Sequence, residues 1–220
     1  MKRFIALLAA IAVAVTFISF GRNANADSAA STESPADSVQ STTAGDKILV
    51  AYFTAAENSG VDAVSSASYT TVNGESVGTV RAIADVIAAR TGGDLFSIRT
   101  SVVYPTDREA LIEYASEEQT DNARPELITE IDDLSQYGTI FIGYPIWWGI
   151  AAWPVDTFVK ANDFTGKTVI PFCTSGSSDI GESGAQLAAL AGTGDWQTGK
   201  RFPSAVTQQE VADWVKSLGK

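Results

Sequence analysis

Lys47-Ile-Leu-Val-Ala-Tyr-Phe53 is an unbroken apolar run with β-branched and aromatic members, and it decides the fold class. A strand with one wet face alternates polar and apolar residues. A strand apolar at every position is buried on both faces, as parallel strands between two helical layers are. Working outward, Val80, Ile83, Ala84 and Ile87 recur at helical spacing, and Gly92-Gly93 closes that helix. Asp94 to Ser101 reads as a second strand. Thr106 and Glu109 have capping-box spacing ahead of Leu111, Ile112 and Ala115. Thr139-Ile-Phe-Ile-Gly-Tyr144 is a third buried strand, and Pro154 sits at the first turn of a helix reaching Lys160. Thr168-Val-Ile-Pro-Phe172 is a fourth strand, with Pro171 expected where it leaves the sheet. Ser183 to Ala191 is helical, and Trp196 to Phe202 is a fifth strand. Thr207 and Glu210 form another capping box before the stripe Val211, Trp214, Val215 and Leu218. Five strands alternating with helices predict an α/β fold, a doubly wound five-stranded parallel sheet. Such sheets bind ligands beyond the carboxyl ends of their strands, where strand order reverses. The segments after Phe53, Tyr144 and Phe172 are therefore the candidates.

Composition narrows the chemistry. The 220 residues are 45% hydrophobic, 19% charged and 10% aromatic, which suits a folded domain rather than a disordered chain. There is no histidine, so Ser-His-Asp and Cys-His catalysis and imidazole metal sites are excluded. One cysteine, Cys173, cannot build an intrachain disulfide or a thiolate metal cluster. At the end of an apolar strand it reads as a buried small residue rather than a redox thiol. Asp+Glu 26 against Lys+Arg 15 gives a net charge of −11, which opposes nucleic-acid binding. The acid-rich run Glu113 to Asp121 reads as a solvated helix face, of a kind that can steer basic partners.

The amino-terminal segment carries an address. Lys2 and Arg3 precede an apolar run from Phe4 to Phe20, and Ala24-Asn25-Ala26 fits a small-residue cleavage site. Residues 1–26 therefore read as a secretory signal peptide, and the expected location is periplasmic, extracellular or at the cell surface. Left uncleaved, the run would be at the short edge for a membrane anchor, since a span needs about 20 residues. After cleavage no membrane span is expected. Residues 27–46 are rich in Ser, Thr, Ala and Asp and read as a flexible linker, leaving a domain over residues 47–220.

Three strand-end segments stand out. Gly143-Tyr-Pro-Ile-Trp-Trp-Gly149 places two tryptophans beside glycines at a strand end. Their indoles can stack on a planar ring, or pack on the helix that Trp153 and Pro154 begin. Thr174-Ser-Gly-Ser-Ser-Asp-Ile-Gly181 offers hydroxyls and backbone N–H groups that can wrap a planar ligand's polar edge, or it is a plain Ser/Gly turn. The segment after the first strand begins at Thr54 and leads to a helix near Gly78-Thr79, whose N–H groups suit a phosphate. Neither GxGxxG nor GxxxxGK[ST] occurs, so kinase and NTPase chemistry is not expected.

Together these segments resemble the flavodoxin family, in particular flavodoxin-like bacterial reductases with a Gly-Asn-Thr phosphate loop, YPxWWG and TxGxSG. The resemblance covers about Lys47 to Lys220. It is most specific in Ile142-Gly-Tyr-Pro-Ile-Trp-Trp-Gly149 and Ile170-Pro-Phe-Cys-Thr-Ser-Gly-Ser-Ser178, with Tyr104-Pro105 and Asn122-Ala-Arg-Pro-Glu-Leu127 in support. It implies a non-covalent FMN site. Thr54, Gly78, Thr79 and Val80 would hold the phosphate. Trp147 and Trp148, with Tyr144, Pro145, Ile146 and Gly149, would lie against the ring system. Thr174, Ser175, Gly176, Ser177 and Ser178 would line its other edge. No side-chain catalytic residue and no metal is implied. Asp179 to Ala185 lacks the spacing for covalent flavin attachment.

Two departures bear on function. The family's Gly-Asn-Thr reads Gly78-Thr79-Val80 here, so a phosphate-binding hydroxyl becomes a methyl unless Thr79 compensates. Ala55 to Val77 is far longer than the about 2–6 residues usual for such loops. Within it, Thr71-Val-Asn-Gly-Glu-Ser-Val77 predicts a hairpin with an Asn-Gly turn, either a tolerated insertion or a flap over the ligand. The function expected is electron transfer, or reduction of a small acceptor such as a quinone, with a redox partner protein or that acceptor as partner. The alternative is a binding module that has kept the fold, lost FMN and binds another ligand or a protein.

Overall fold

A computed structural model describes residues 45–59 and 69–220. These fall within one compact unit, Ser41–Lys220. The expected signal segment, the linker to residue 44 and residues 60–68 lie outside the described residues.

The chain runs through β1 (Lys47–Tyr52), α1 (Ala55–Ser59), β2 (Tyr69–Val72), β3 (Glu75–Gly78), α2 (Thr79–Thr91), β4 (Asp94–Ser97) and α3 (Arg108–Thr120). A 3₁₀ turn, Leu134–Gln136, then leads to β5 (Tyr137–Trp147), β6 (Ile150–Ala151), α4 (Trp153–Ala161), β7 (Thr168–Thr174), α5 (Ser183–Ala191), β8 (Asp195–Trp196), β9 (Lys200–Phe202) and α6 (Gln208–Ser217). The main sheet is ordered β4-β1-β5-β7, with β8 and β9 both on the outer edge of β7. Every pairing among these strands is parallel. Strand order reverses between β1 and β5, which puts the expected ligand crevice at their carboxyl ends.

The period of two in each strand sorts the core into two layers. Leu49, Ala51, Ile140, Ile142 and Val169 face a cluster with Leu111, Val155, Phe158 and Leu187, from α3, α4 and α5. Val50, Tyr52, Phe141, Ile170 and Phe172 face the opposite cluster, with Ile83, Ala84, Ile87, Val211 and Val215 from α2 and α6. All these side chains are below one-tenth exposed. The continuous apolar strands are thus explained by helices on both sheet faces.

Several elements differ in detail from the sequence expectation. The fourth strand does not leave the sheet at Pro171 but continues to Thr174. Lys167 and Val169 accept from the N–H groups of Asp195 and Gln197 (both 2.8 Å). Alternate residues point their backbone groups the same way, so Pro171 also faces this edge and has no N–H to give. There the fifth strand breaks into β8 and β9. The second strand stops at Ser97, after which Thr100 makes a single bridge to Leu127. The α3 cap is Asp107, whose side chain accepts from the N–H groups of Glu109 and Ala110, instead of Thr106. The Thr207–Glu210 capping box forms as expected.

Candidate functional site

The three candidate segments emerge side by side. The Phe53 N–H donates to the Gly143 carbonyl at 2.9 Å, setting Thr54 next to the end of β5. Register places Tyr144 opposite Cys173 and Pro145 opposite Thr174. The reversal of strand order therefore brings together the segments that sequence singled out.

β5 runs past the sheet and turns back on itself. Ile146 pairs with Ala151 and Trp147 with Ile150, antiparallel. The two turn residues, Trp148 and Gly149, have φ of 51° and 83°, the signature of a type I′ turn. Glycine or asparagine suits the first position. A bulky indole there costs about 1–2 kcal/mol, and outliers of this kind cluster at functional sites. The two tryptophans have different roles. Trp147 is partly buried, with its ring edge-on to Phe53 (5.6 Å) and Tyr104 (5.4 Å) and 6.1 Å from Trp153. Trp148 is 51% exposed and opens onto a groove of about 730 Å³, flanked by Glu109, Ile112 and Glu113 of α3. Trp148 is thus the indole with an open face, while Trp147 packs among Phe53, Tyr104 and Trp153. Tyr144 is buried, its hydroxyl 3.0 Å from Ser183 Oγ, and burial raises its pKa. Pro145 and Ile146 are half-buried and Gly149 is exposed.

At the end of β7, Thr174 and the following Ser175 are buried, and Gly176, Ser177 and Ser178 are exposed. The Thr174 Oγ1 is buried without a hydrogen-bond partner. The Ser175 hydroxyl donates to the Ser178 carbonyl and tightens the turn. Arg201 of β9 holds it from the side: Nε donates to Ser175 Oγ and Nη2 to the Ser175 carbonyl, each at 3.1 Å. Cys173 is fully buried, and desolvation pushes its thiol up to about 12, so it is inert at neutral pH.

At the start of α2, the β2–β3 hairpin forms around Asn73 and Gly74 as read from sequence, and β3 runs directly into the helix. Gly78 is the N-cap and supplies no side-chain hydrogen bond. Thr79 is 1% exposed and its Oγ1 has no partner. Val80 is 2% exposed and belongs to the apolar cluster of Val50 and Tyr52. Its side chain faces the core, so the free hydroxyl of this segment is that of Thr79. The hairpin lies against α2: Thr70, Thr71 and Val72 line a groove of about 190 Å³ with Thr79, Ile83 and Val211.

Thr54 is buried, and its carbonyl accepts from Asn58 Nδ2 at 2.9 Å. The Asn58 Oδ1 accepts from the Thr100 N–H at 2.7 Å, tying α1 to the segment after β4. Glu57 knits the same corner. It accepts from the Tyr52 hydroxyl (2.9 Å), Arg81 Nη1 (2.8 Å) and the Ser97 hydroxyl. Burial and the Glu57 charge push the Tyr52 pKa up, so the phenol stays a donor.

Two buried polar pairs escaped the sequence reading. Glu118 is only 7% exposed, which corrects the view of α3's acidic run as wholly solvated. The Tyr104 hydroxyl donates to it at 3.1 Å, and desolvation raises its carboxyl to about 6. Arg124 Nη2 meets Asp156 Oδ2 at 2.9 Å, with Asp156 6% exposed and its pKa raised by burial. Spacing gives no sign of either pair, because each joins a loop residue to a helix residue outside any helical repeat.

A phosphorylated planar ligand fits what is here. It needs hydroxyl and N–H donors for an anion, an aromatic face and donors along a polar edge. Thr79 and the uncapped start of α2 meet the first need, Trp148 the second, and Thr174 with the turn after it the third. Among the described residues three buried threonine hydroxyls lack partners: Thr157 lies on α4, while Thr79 and Thr174 lie at strand-end segments, where a bound ligand is one thing that completes them.

A family model described as flavodoxin matches residues 47–218. Among solved structures, a protein from Bacteroides uniformis described as a candidate flavoprotein is 31% identical. That match covers 78% of this chain and 99% of that one, with a TM-score of 0.62. A counterpart from Bacteroides eggerthii is 29% identical over 80% of this chain and 99% of its own, also with a TM-score of 0.62. A flavoprotein from Lactobacillus acidophilus, solved in complex with FMN, is 19% identical over 77% of this chain and 99% of its own, with a TM-score of 0.51. That last likeness extends to the fold alone. No curated protein matches this sequence.

Proposed function

The chain belongs to the flavodoxin family, and from that premise we propose that it is an exported FMN protein that transfers electrons or reduces a small acceptor such as a quinone. The observation that carries the cofactor is the pair of buried, unpartnered hydroxyls, Thr79 Oγ1 and Thr174 Oγ1, at two of the three strand-end segments. Family membership, and a protein of the same fold solved with FMN, support the same ligand.

The chain's own groups bind and orient. The Thr79 hydroxyl and the first N–H groups of α2 receive the phosphate, aided by the helix dipole. Trp148 covers the ring with an indole already half-exposed. Thr174 and the turn from Ser175 to Ser178 donate along the polar edge. Phe53, Tyr104 and Trp147 form the rigid aromatic floor behind the hairpin. When bound, FMN supplies the electron- and hydride-transfer chemistry. Neither a histidine nor a reactive thiol is called for.

Export follows the reading of residues 1–26, and it means that cofactor is acquired after the chain crosses the membrane. Amino-terminal sequencing of the protein from its native host tests this: a start at Asp27 supports export, and an intact Met1 in the cytoplasm contradicts it. The cofactor is tested by titrating the apoprotein with FMN and with riboflavin. Tighter FMN binding supports the phosphate site; equal affinities remove it.

A further inference from the structure

Arg201 belongs to β9, on the edge of β7, and both its hydrogen bonds go to Ser175. Arg81 is spent on Glu57 and Asp85, and Arg124 on Asp156. Arg201, like Arg90, Arg99 and Arg108, makes no salt bridge among the described residues, but its guanidinium is held by the two bonds to Ser175. Asp179, the acid on the same turn, accepts instead from the Ile180 N–H at 2.8 Å. Arg201 is half-buried, and its charge is felt as far as Cys173 in the neighbouring strand, where it opposes the desolvation of the thiol. A guanidinium without a carboxylate, fixed to a loop by a two-point grip, is a preorganised positive charge. It sits in a chain with a net charge of −11, whose overall field disfavours added negative charge.

We infer that Arg201 is a positioning residue that, by gripping Ser175, holds a cation behind the 174–178 turn and so favours negatively charged, two-electron-reduced flavin. The inference rests on the FMN reading above. Two electrons and one proton added to the neutral ring leave one net negative charge, spread along its polar edge, the edge assigned to this turn. A cation there stabilises the reduced form more than the oxidised one, because only the reduced form carries the charge. This directs the chain toward two-electron reduction of an acceptor and away from low-potential electron carriage. The same grip fixes the loop, so charge and shape have to be separated by experiment.

The test uses the chain from residue 27 to its end, loaded with FMN and reduced by dithionite. The two-electron midpoint and the affinity for oxidised FMN are measured for the parent, Arg201→Met, Arg201→Gln and Arg201→Lys. Met and Gln should weaken reduced FMN about tenfold relative to oxidised FMN. That lowers the midpoint by about 30 mV, since for two electrons tenfold is 29.6 mV. Gln retains a donor toward Ser175 and reports on charge even where Met disturbs the loop. Lys keeps the charge without the fork and should hold the midpoint near the parent value. Equal weakening of both redox forms in Met and Gln would reduce Arg201 to a loop clamp and overturn the inference. So would a Lys variant that shifts as far as Met. A parent that binds no FMN removes the cofactor reading, and the inference with it.

Discussion

Thr79 and Val80 are adjacent, nearly equal in volume and both buried, but only Thr79 carries a hydroxyl without a partner, so exchanging their chemistry tests the phosphate assignment from both sides. Thr79 is 1% exposed, and its hydroxyl has no hydrogen-bond partner. An unsatisfied buried hydroxyl costs about 1–3 kcal/mol. Thr79→Val removes it at almost constant shape and similar helix propensity, so the apoprotein should gain stability of about that size. If the hydroxyl donates to the phosphate, the same substitution deletes a charge-assisted bond worth about 1.5–3 kcal/mol. FMN should then bind roughly ten- to a hundredfold more weakly, with riboflavin unchanged. Val80→Thr is the mirror case. Val80 is 2% exposed in the cluster of Val50, Tyr52 and Ile83, so a hydroxyl there should cost about 1–3 kcal/mol of stability without favouring FMN over riboflavin. Urea unfolding of the apoproteins gives the stabilities, and fluorescence titration gives the affinities. Loss of stability in Thr79→Val with an unchanged FMN-to-riboflavin ratio would refute the assignment, as would selective tightening of FMN by Val80→Thr.

The two tryptophans should separate in the same way: Trp148→Ala weakens FMN by about 1–3 kcal/mol, by analogy with bases stacked on aromatic side chains. Trp147→Ala, which opens a hole between Phe53 and Tyr104, instead costs about 3 kcal/mol of fold stability, read by denaturant midpoint. Glu118 gives a pH signature. Its carboxyl rises from 4.5 unfolded to about 6 folded, so between these values the native state binds the extra proton. Stability should therefore fall as pH rises through that window, by about 2 kcal/mol at most, and stay flat above it. Glu118→Gln should remove this slope and be the more stable protein at pH 7; an unaltered slope assigns it to other groups. Arg124→Leu should cost about 3–5 kcal/mol by stranding the buried Asp156 carboxylate, and adding Asp156→Asn should recover much of that.

What the sequence made legible follows from how local its causes are. Strands buried on both faces show as apolar runs, so β1, β5 and β7 could be placed from composition alone. Asn73-Gly74 announced its hairpin because those residues accept positive φ at little cost. Trp148-Gly149 makes the same turn without announcing it, because its first residue contradicts the turn's preference. There the turn rule fails, at a place where a ligand site is expected. The break between β8 and β9 depends on which edge Pro171 faces, a matter of register that no single strand reveals. Glu118 with Tyr104, and Arg124 with Asp156, pair across the fold and leave no periodic trace. The family motif pointed to Val80, whose side chain belongs to the apolar core, whereas the unpartnered hydroxyl is that of its equally buried neighbour Thr79, which lines the groove under the hairpin.

Adding the apoprotein to FMN and following flavin fluorescence tests the central claim most directly. The account predicts quenching that saturates at one equivalent, with riboflavin needing at least about ten times more protein for the same effect. An unquenched flavin, or identical curves for FMN and riboflavin, would contradict it.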